Sequence, residues 1–287
     1  MSVKPSDGSS EPRYRSDICY AGGGESRVDR MDPAARSRVF EMLAGRGTDS
    51  SQVPLRARFY KLARVAPGQR IVDVGCGTGV DTRALARLAA PGGSVLGVDP
   101  SGALIDEARR TTPADLGVRY ERAEGEKLPA VDGAFDLAVA ITTLSHVADP
   151  APIVREMVRV VRPGGRVALF DHDMGTFVVD AADRDVTRLI FDLYTREVSG
   201  MDAGRRLAGL LKTASLGAVE VEPLPLVDME FSSYFQWVIE RYPTRAVEDG
   251  ALSAEAAEAW RADVRARAAA GRFFGSVVYF AAAATKP

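Results

Sequence analysis

The chain has 287 residues, 46% of them hydrophobic and 26% charged, with a formal net charge of -2 at pH 7. These proportions belong to a folded globular protein with one α/β core and additions, and they exclude wholesale disorder. The near-balanced charge excludes a general attraction to nucleic acid or to an anionic membrane surface.

The N-terminal stretch from Met1 to Pro12 is polar and lacks the apolar run of a secretory signal. Residues 1–28, including Gly22-Gly23-Gly24, show little apolar periodicity and read as a flexible segment. Residues 29–287 read as a single domain, with a core over 67–173 and a cap and C-terminal strands over 174–287. From Val28 to Ala66 the apolar spacing is helical, broken at Gly45-Arg46-Gly47. Pro67-Gly68 makes a turn, and strand-like and helix-like stretches then alternate as in βαβ units on a parallel sheet. The strands are expected at Ile71–Val74, Ser94–Val98, Val118–Glu121, Phe135–Ala140 and Arg166–Phe170. Helices fit between them at Val80–Ala90, Ser101–Arg110 and Pro152–Val161.

After Phe170 the rhythm changes. Helical insertions are expected over Asp180–Ser199, Ala203–Ala214, Ser232–Arg241 and Ser253–Ala270. They are interrupted by a strand over Ala218–Leu226 and followed by a last strand over Phe274–Ala284. The arginines between Trp260 and Arg272 are diluted by Glu255, Glu258 and Asp263, which reads as a solvated helix face rather than a nucleic-acid arm. Uninterrupted apolar stretches stay below the roughly 18 residues of a membrane span. With only Cys19 and Cys76, far apart, a disulfide framework and a zinc cluster are not expected. A cytoplasmic protein follows as the expectation, with no membrane or nucleic-acid partner and no metal.

The strand ending at Asp73 runs into Gly75-Cys76-Gly77-Thr78-Gly79 and then a helix, a tight turn whose glycines let backbone approach a ligand closely. Dinucleotide sites use Gly-x-Gly-x-x-Gly or Ala, and here Val80 stands where the third glycine falls, which weakens a nicotinamide reading. Asp73 beside the turn suits an ammonium and opposes a pyrophosphate. Asp99, at the end of the next strand, suits the two hydroxyls of a ribose. Together these acids suggest an adenosine carrying a cationic tail.

Several ordered stretches resemble the class I S-adenosylmethionine-dependent methyltransferases, in the branch similar to the ubiquinone- and menaquinone-biosynthesis enzymes (methyltransferase type 11). Val72–Gly79 resembles the family's first motif, Gly97-Val98-Asp99-Pro100-Ser101 its ribose motif, and Phe135-Asp136 its fourth. Arg159–Gly165 resembles the turn into strand five. The resemblance implies a Rossmann-like, seven-stranded, mostly parallel sheet with an antiparallel last strand and helices on both faces, a helical N-terminal segment and helical cap insertions. It implies S-adenosyl-L-methionine as cofactor, held by Asp73, Gly75, Cys76, Gly77, Thr78 and Gly79, by Asp99, Pro100 and Ser101, and by Thr142 and His146. Glu124 stands where the family usually has Asp at the adenine amino group, and Gly125 would offer its amide to the ring. Cys76 reads as a small packing residue within the turn.

The two histidines, His146 and His172, both fall just beyond expected strand ends, the edge where open α/β sheets bind ligands. His146 resembles a family histidine close to the cofactor. His172 lies between Asp171 and Asp173 where the family's substrate-facing loop begins. His172, His146 and Asp173 are therefore the catalytic candidates, histidine being the natural base near neutral pH. Three consecutive strand residues cannot face one point, so Asp171-His172-Asp173 does not read as a metal site. The expected reaction is methyl transfer to oxygen, nitrogen or carbon of a small, partly apolar metabolite, oxygen favoured, by a homodimer. A non-methylating cyclisation or rearrangement on the same fold is the competing reading.

Overall fold

The computed structural model describes residues 26, 28–45, 47–197 and 200–287. The flexible segment expected over residues 1–28 falls mostly outside them. Two helices lead in, α1 (Pro33–Gly45) and α2 (Val53–Leu62). The alternating core follows as β1 (Arg70–Val74), α3 (Val80–Ala89), β2 (Ser94–Asp99), α4 (Gly102–Thr111), β3 (Val118–Arg122), β4 (Phe135–Ile141), α5 (Ala151–Val160) and β5 (Val161–Val179). The remainder comprises α6 (Arg184–Glu197), α7 (Ala203–Thr213), β6 (Glu220–Asp228), α8 (Ser233–Glu248), α9 (Ala254–Ala269) and β7 (Gly275–Thr285).

The seven strands form one sheet in the order β3-β2-β1-β4-β5-β7-β6. β1 to β5 pair in parallel, and β7 runs antiparallel between β5 and β6. Strand order reverses between β1 and β4, so the carboxyl ends of these two strands frame the crevice where open α/β sheets take ligands.

Side-chain alternation along the strands divides the core between the two faces of the sheet. Ile71, Leu137, Val139 and Phe170 pack on one face with Phe59 of α2, Leu85 of α3 and the cap residues Ile190, Phe235 and Trp260. Val72, Leu96, Ala138 and Leu169 pack on the other with Met157 of α5 and Leu207 of α7. The α9 arginines are drawn into ion pairs, Arg265 with Glu240 and Arg267 with Asp180, as a solvated helix face requires.

Strand five differs from its expected span. It begins at Val161, paired with Phe135, and continues past Phe170 because β7 extends the ladder: Asp171 lies opposite Phe280, His172 opposite Tyr279 and Asp173 opposite Val278. After an irregularity, Val178 and Val179 pair with Ser276 and Gly275. His172 therefore sits inside a strand rather than in a loop beyond one. The partner strand is more than a hundred residues downstream, which no local pattern reveals. Helix α7 packs close behind this stretch at Gly204, where a Cβ would fall 2.9 Å from the Asp171 carbonyl oxygen.

Candidate functional site

The turn between β1 and α3 puts Gly75, Gly77 and Gly79 in the left-handed region, with φ of 76°, 54° and 77°. Its amides point inward. Those of Gly75 and Cys76 donate to the Val98 carbonyl at 2.8 and 3.0 Å, and that of Gly77 donates to Asp99 Oδ2 at 3.0 Å. A pyrophosphate cradle needs such amides aimed at the ligand, so these three are already committed to the end of β2. A Cβ on Gly75 would meet Thr143 Cγ2 at 2.2 Å, and the Thr143 hydroxyl donates to the Val74 carbonyl at 3.1 Å. Glycine at position 75 thus lets β1 lie directly against the turn leaving β4.

Two cavities meet across that contact, with Gly75 and Thr143 in the wall of both. The smaller, about 50 Å³, is mixed: Arg56, Thr78, Asp81, Thr142 and His146 supply its polar part, and Leu43, Val80, Leu104 and Ile141 its apolar part. Arg56 Nε lies 2.9 Å from Asp81 Oδ1, and the Tyr60 hydroxyl donates to the same oxygen at 2.5 Å. The Thr78 hydroxyl is buried with no hydrogen-bond partner among the described residues, so it has capacity for a ligand. The larger cavity, about 230 Å³, is a mainly apolar slot between Val98, Pro100, Val147 and Ile153 with Glu124 and Gly125 along its edge. Partial burial raises the Glu124 carboxyl above its ordinary value, and the neighbouring charge of Glu126 adds to this.

A mainly apolar slot with carboxylates in its wall, Glu124, Glu126 and Asp149, suits an aromatic base bearing an amino group. A small chamber with one cation and one anion suits a zwitterionic tail. The residues present therefore fit S-adenosylmethionine, whose two ends would lie on either side of the Gly75–Thr143 ridge.

The two expected acids differ in placement. Asp73 is fully buried behind the turn and accepts from the Thr82 hydroxyl at 2.6 Å. Burial pushes its carboxyl up to about 7, the Thr82 hydrogen bond opposes this, and Asp81 and Asp99 add to it. The acid in the wall of the smaller cavity is Asp81, so the structure turns Asp73 toward α3 rather than toward a cationic tail. Asp99 is also fully buried, and its other oxygen accepts the Ser101 amide at 2.9 Å. Ser101 caps α4 by accepting the Leu104 amide, while its hydroxyl donates to Asp29 at 2.7 Å. Asp29 accepts the Ala103 amide as well, at 2.9 Å, which staples the incoming chain to the ribose-type motif. Gly79 precedes α3 as its N-cap. The Cys76 thiol is pushed well above its ordinary value by burial, then by Asp99 and Asp73, so it is held as an inert thiol.

His146 closes a short 3-10 turn, Leu144–His146, that places it in the smaller cavity. His172 packs edge-on against Tyr279, ring centroids 5.6 Å apart, and its Nδ1 lies 3.3 Å from Asp171 Oδ1. Asp171 is buried, and its other oxygen accepts the Ser145 amide at 3.0 Å. One carboxylate thus joins both histidine-bearing segments. Burial raises the Asp171 carboxyl, with His172 and the Ser145 amide opposing.

Asp173 departs from its expected catalytic role. It is buried and doubly bonded to the Arg205 guanidinium, and it accepts the Gly175 amide at 3.0 Å. These bonds occupy its lone pairs and tie α7 to β5.

Arg56, Tyr60 and Asp81 were not singled out from the sequence. Arg56 and Tyr60 are four apart on one helix face, and Asp81 opens the helix after the glycine turn, which is the signal available for them. Among the described residues no group of three or more His, Cys, Asp or Glu is placed to hold a metal ion, and no helix is long and apolar enough to cross a membrane.

A family profile described as a methyltransferase domain matches residues 72–169. The chain is 35% identical over 235 residues to an uncharacterized 37.1 kDa protein in transposon TN4556 of Streptomyces fradiae, across 78% of this chain and 66% of that protein. It is 30% identical over 183 residues to a ubiquinone biosynthesis O-methyltransferase of Ralstonia nicotianae, across 62% of this chain and 74% of the relative. In fold it is similar to a SAM dependent methyltransferase from Aquifex aeolicus, with a TM-score of 0.50 at 16% identity, covering 87% of this chain and 98% of that one.

Proposed function

The chain belongs to the class I S-adenosylmethionine-dependent methyltransferases, in the type 11 branch, and from that premise we propose that it methylates a small, partly apolar metabolite, preferentially at oxygen. The observation that carries this reading is the split crevice at the strand-order reversal, an apolar slot with Glu124 on one side and a charged chamber with Arg56 and Asp81 on the other. When bound, S-adenosylmethionine supplies a methyl group activated by its sulfonium.

The protein's own contribution is position and proton handling. Glu124 and the Gly125 amide would hold the adenine, Asp99 the ribose, and Thr78, Arg56 and Asp81 the zwitterionic end. Holding nucleophile, methyl carbon and sulfur in line is worth roughly 7 to 11 kcal/mol in favourable systems. A hydroxyl acceptor must also lose its proton, and the imidazole of His172, backed by Asp171, supports oxygen as the acceptor. The cap helices α6, α8 and α9, packed on the same face as β5 and β7, favour an enclosed small molecule over a polymer.

The reading is tested by incubating the protein with methyl-labelled S-adenosylmethionine and a panel of phenols, alcohols, amines and activated carbon acids. Label in an ether product is the expected result. Turnover to an unlabelled product overturns the transfer reading, and binding of NAD without binding of S-adenosylmethionine overturns the cofactor assignment.

A further inference from the structure

A third cavity, about 480 Å³, lies apart from the split crevice, between the far end of β5 and helix α6. Its size is within the range of small-molecule sites. The base is apolar: Phe177 and Phe191 stack with centroids 4.3 Å apart, beside Met174 and Val179. Val178, also in the wall, remains 51% exposed, an apolar surface that the core does not use.

The charged groups around this base are unequal. Asp180 is engaged by Arg267 at 2.6 Å. Arg184 and Arg188 stand one turn apart on α6, both in the cavity wall and both exposed. Among the described residues neither makes an ion pair or a side-chain hydrogen bond. Asp192 is a further turn along, past Phe191, so the cationic end of the cavity is at the start of α6. The helix end itself is already capped by Asp183, whose Oδ1 accepts the Val186 amide at 2.9 Å, so the cations offered to a ligand are the two guanidinium groups.

An apolar pocket with two unpaired guanidinium groups at one end is complementary to an aryl or alkyl carboxylate, whose carboxylate a guanidinium grips bidentately. We infer that this cavity binds such an anion, as the non-reacting end of the methyl acceptor. Met174 lies in the cavity wall only two residues beyond His172, so a molecule seated here extends toward the histidine edge. The identification of the occupant as the acceptor rests on the function proposed above; the binding itself does not.

The test uses 2-naphthoate and its neutral amide as probes, titrated calorimetrically into the full chain. Trp260, whose indole donates to Thr187 of the cavity wall at 2.8 Å, serves as an emission reporter in a Trp237→Phe background. The carboxylate is expected to bind about tenfold more tightly than the amide, a difference of about 1.4 kcal/mol. Arg184→Gln with Arg188→Gln is expected to abolish that preference while leaving amide binding intact. Equal binding of the two probes, no saturable binding of either, or a preference that survives the double substitution overturns the inference.

S-adenosylhomocysteine is titrated into the same samples. Simultaneous binding of naphthoate and S-adenosylhomocysteine is expected, and mutual displacement overturns the placement of the anion in this cavity. Failure of S-adenosylhomocysteine to bind the wild type counts against the transferase reading and leaves the anion site standing.

Discussion

Asp171 accepts from the backbone amides of both His172 and Ser145, at 3.0 Å each, and its Oδ1 also faces the His172 ring nitrogen. A buried carboxylate in this position orients the imidazole and stabilises its protonated form. His172→Ala is expected to lower kcat by roughly 100-fold or more, the usual range for a general base, with S-adenosylhomocysteine affinity retained. Asp171→Asn is expected to move the acid limb of the kcat/KM profile to lower pH, because the imidazolium loses its anion. Unchanged turnover in the first variant removes His172 from the reaction, and an unmoved limb in the second reduces Asp171 to a packing role.

Asp99 is held by the Gly77 and Ser101 amides at the reversal of strand order. Asp99→Asn is expected to weaken S-adenosylhomocysteine binding by about tenfold or more, the scale of one charge-assisted hydrogen bond. Calorimetry measures this, and a melting curve recorded alongside separates loss of the ligand contact from loss of the turn.

Gly75 and Gly68 share a left-handed backbone, with φ of 76° and 83°, but only Gly75 has a neighbour where a Cβ would stand. Gly68→Ala carries the conformational penalty alone, about 1 to 2 kcal/mol. Gly75→Ala adds the collision with Thr143 and is expected to cost about 3 kcal/mol or more. Denaturant unfolding of both variants checks the difference, and equal losses would show that Thr143 moves aside freely.

Asp73 is neutral at low pH and carries a carboxyl raised from 3.8 to about 7 by burial. A folded value above the unfolded one means that the native state binds the extra proton. Its stabilisation is present below the unfolded value and is lost as pH rises toward the folded value. Asp73→Asn is therefore expected to gain on the wild type between about pH 4 and about pH 7. Urea midpoints measured across that interval test the sign. Parallel pH curves for the two proteins would place the carboxyl in its ordinary range.

Arg205 is half exposed while its partner Asp173 is buried. Arg205→Ala leaves that carboxylate without its cation and is expected to cost about 2 kcal/mol, less than a fully buried pair because solvent reaches the guanidinium. Asp173→Asn in the same background is expected to recover part of the loss. Thermal unfolding of the single and double variants completes the cycle.

Much of the core was legible because its signals are local. β1, β2 and β4 are short, mainly apolar runs bounded by turn residues, β3 alternates apolar Val118 and Tyr120 with charged residues, and each of α3, α4 and α5 has an apolar stripe, so periodicity located them. The glycine turn, Asp99 and Glu124 were legible as an ordered set. The extension of β5 was not, because it depends on β7 more than a hundred residues away. Asp73 shows the same dependence on distant partners: an acid inside a strand, here next to last in β1, turns toward whichever group the fold brings to it, and that group is Thr82. Arg205 carries no pattern of its own and acquires meaning only when the fold brings Asp173 to it, and the four-residue spacing of Arg56 and Tyr60 points to a site only once Asp81 stands against both.

The residues around the split crevice all precede Val161, where β5 begins, whereas His172, Asp173, Arg184 and Arg188 all follow it. The start of β5 is therefore a seam in the sequence, bridged in the fold by the parallel pairing of β4 with β5 and by the Ser145 amide on Asp171. A chimera spliced there, with the apolar register of β5 preserved, would inherit its nucleotide end from one parent and its cap from the other. On the function proposed above, such a splice would change what is modified without rebuilding how the modifying group is delivered.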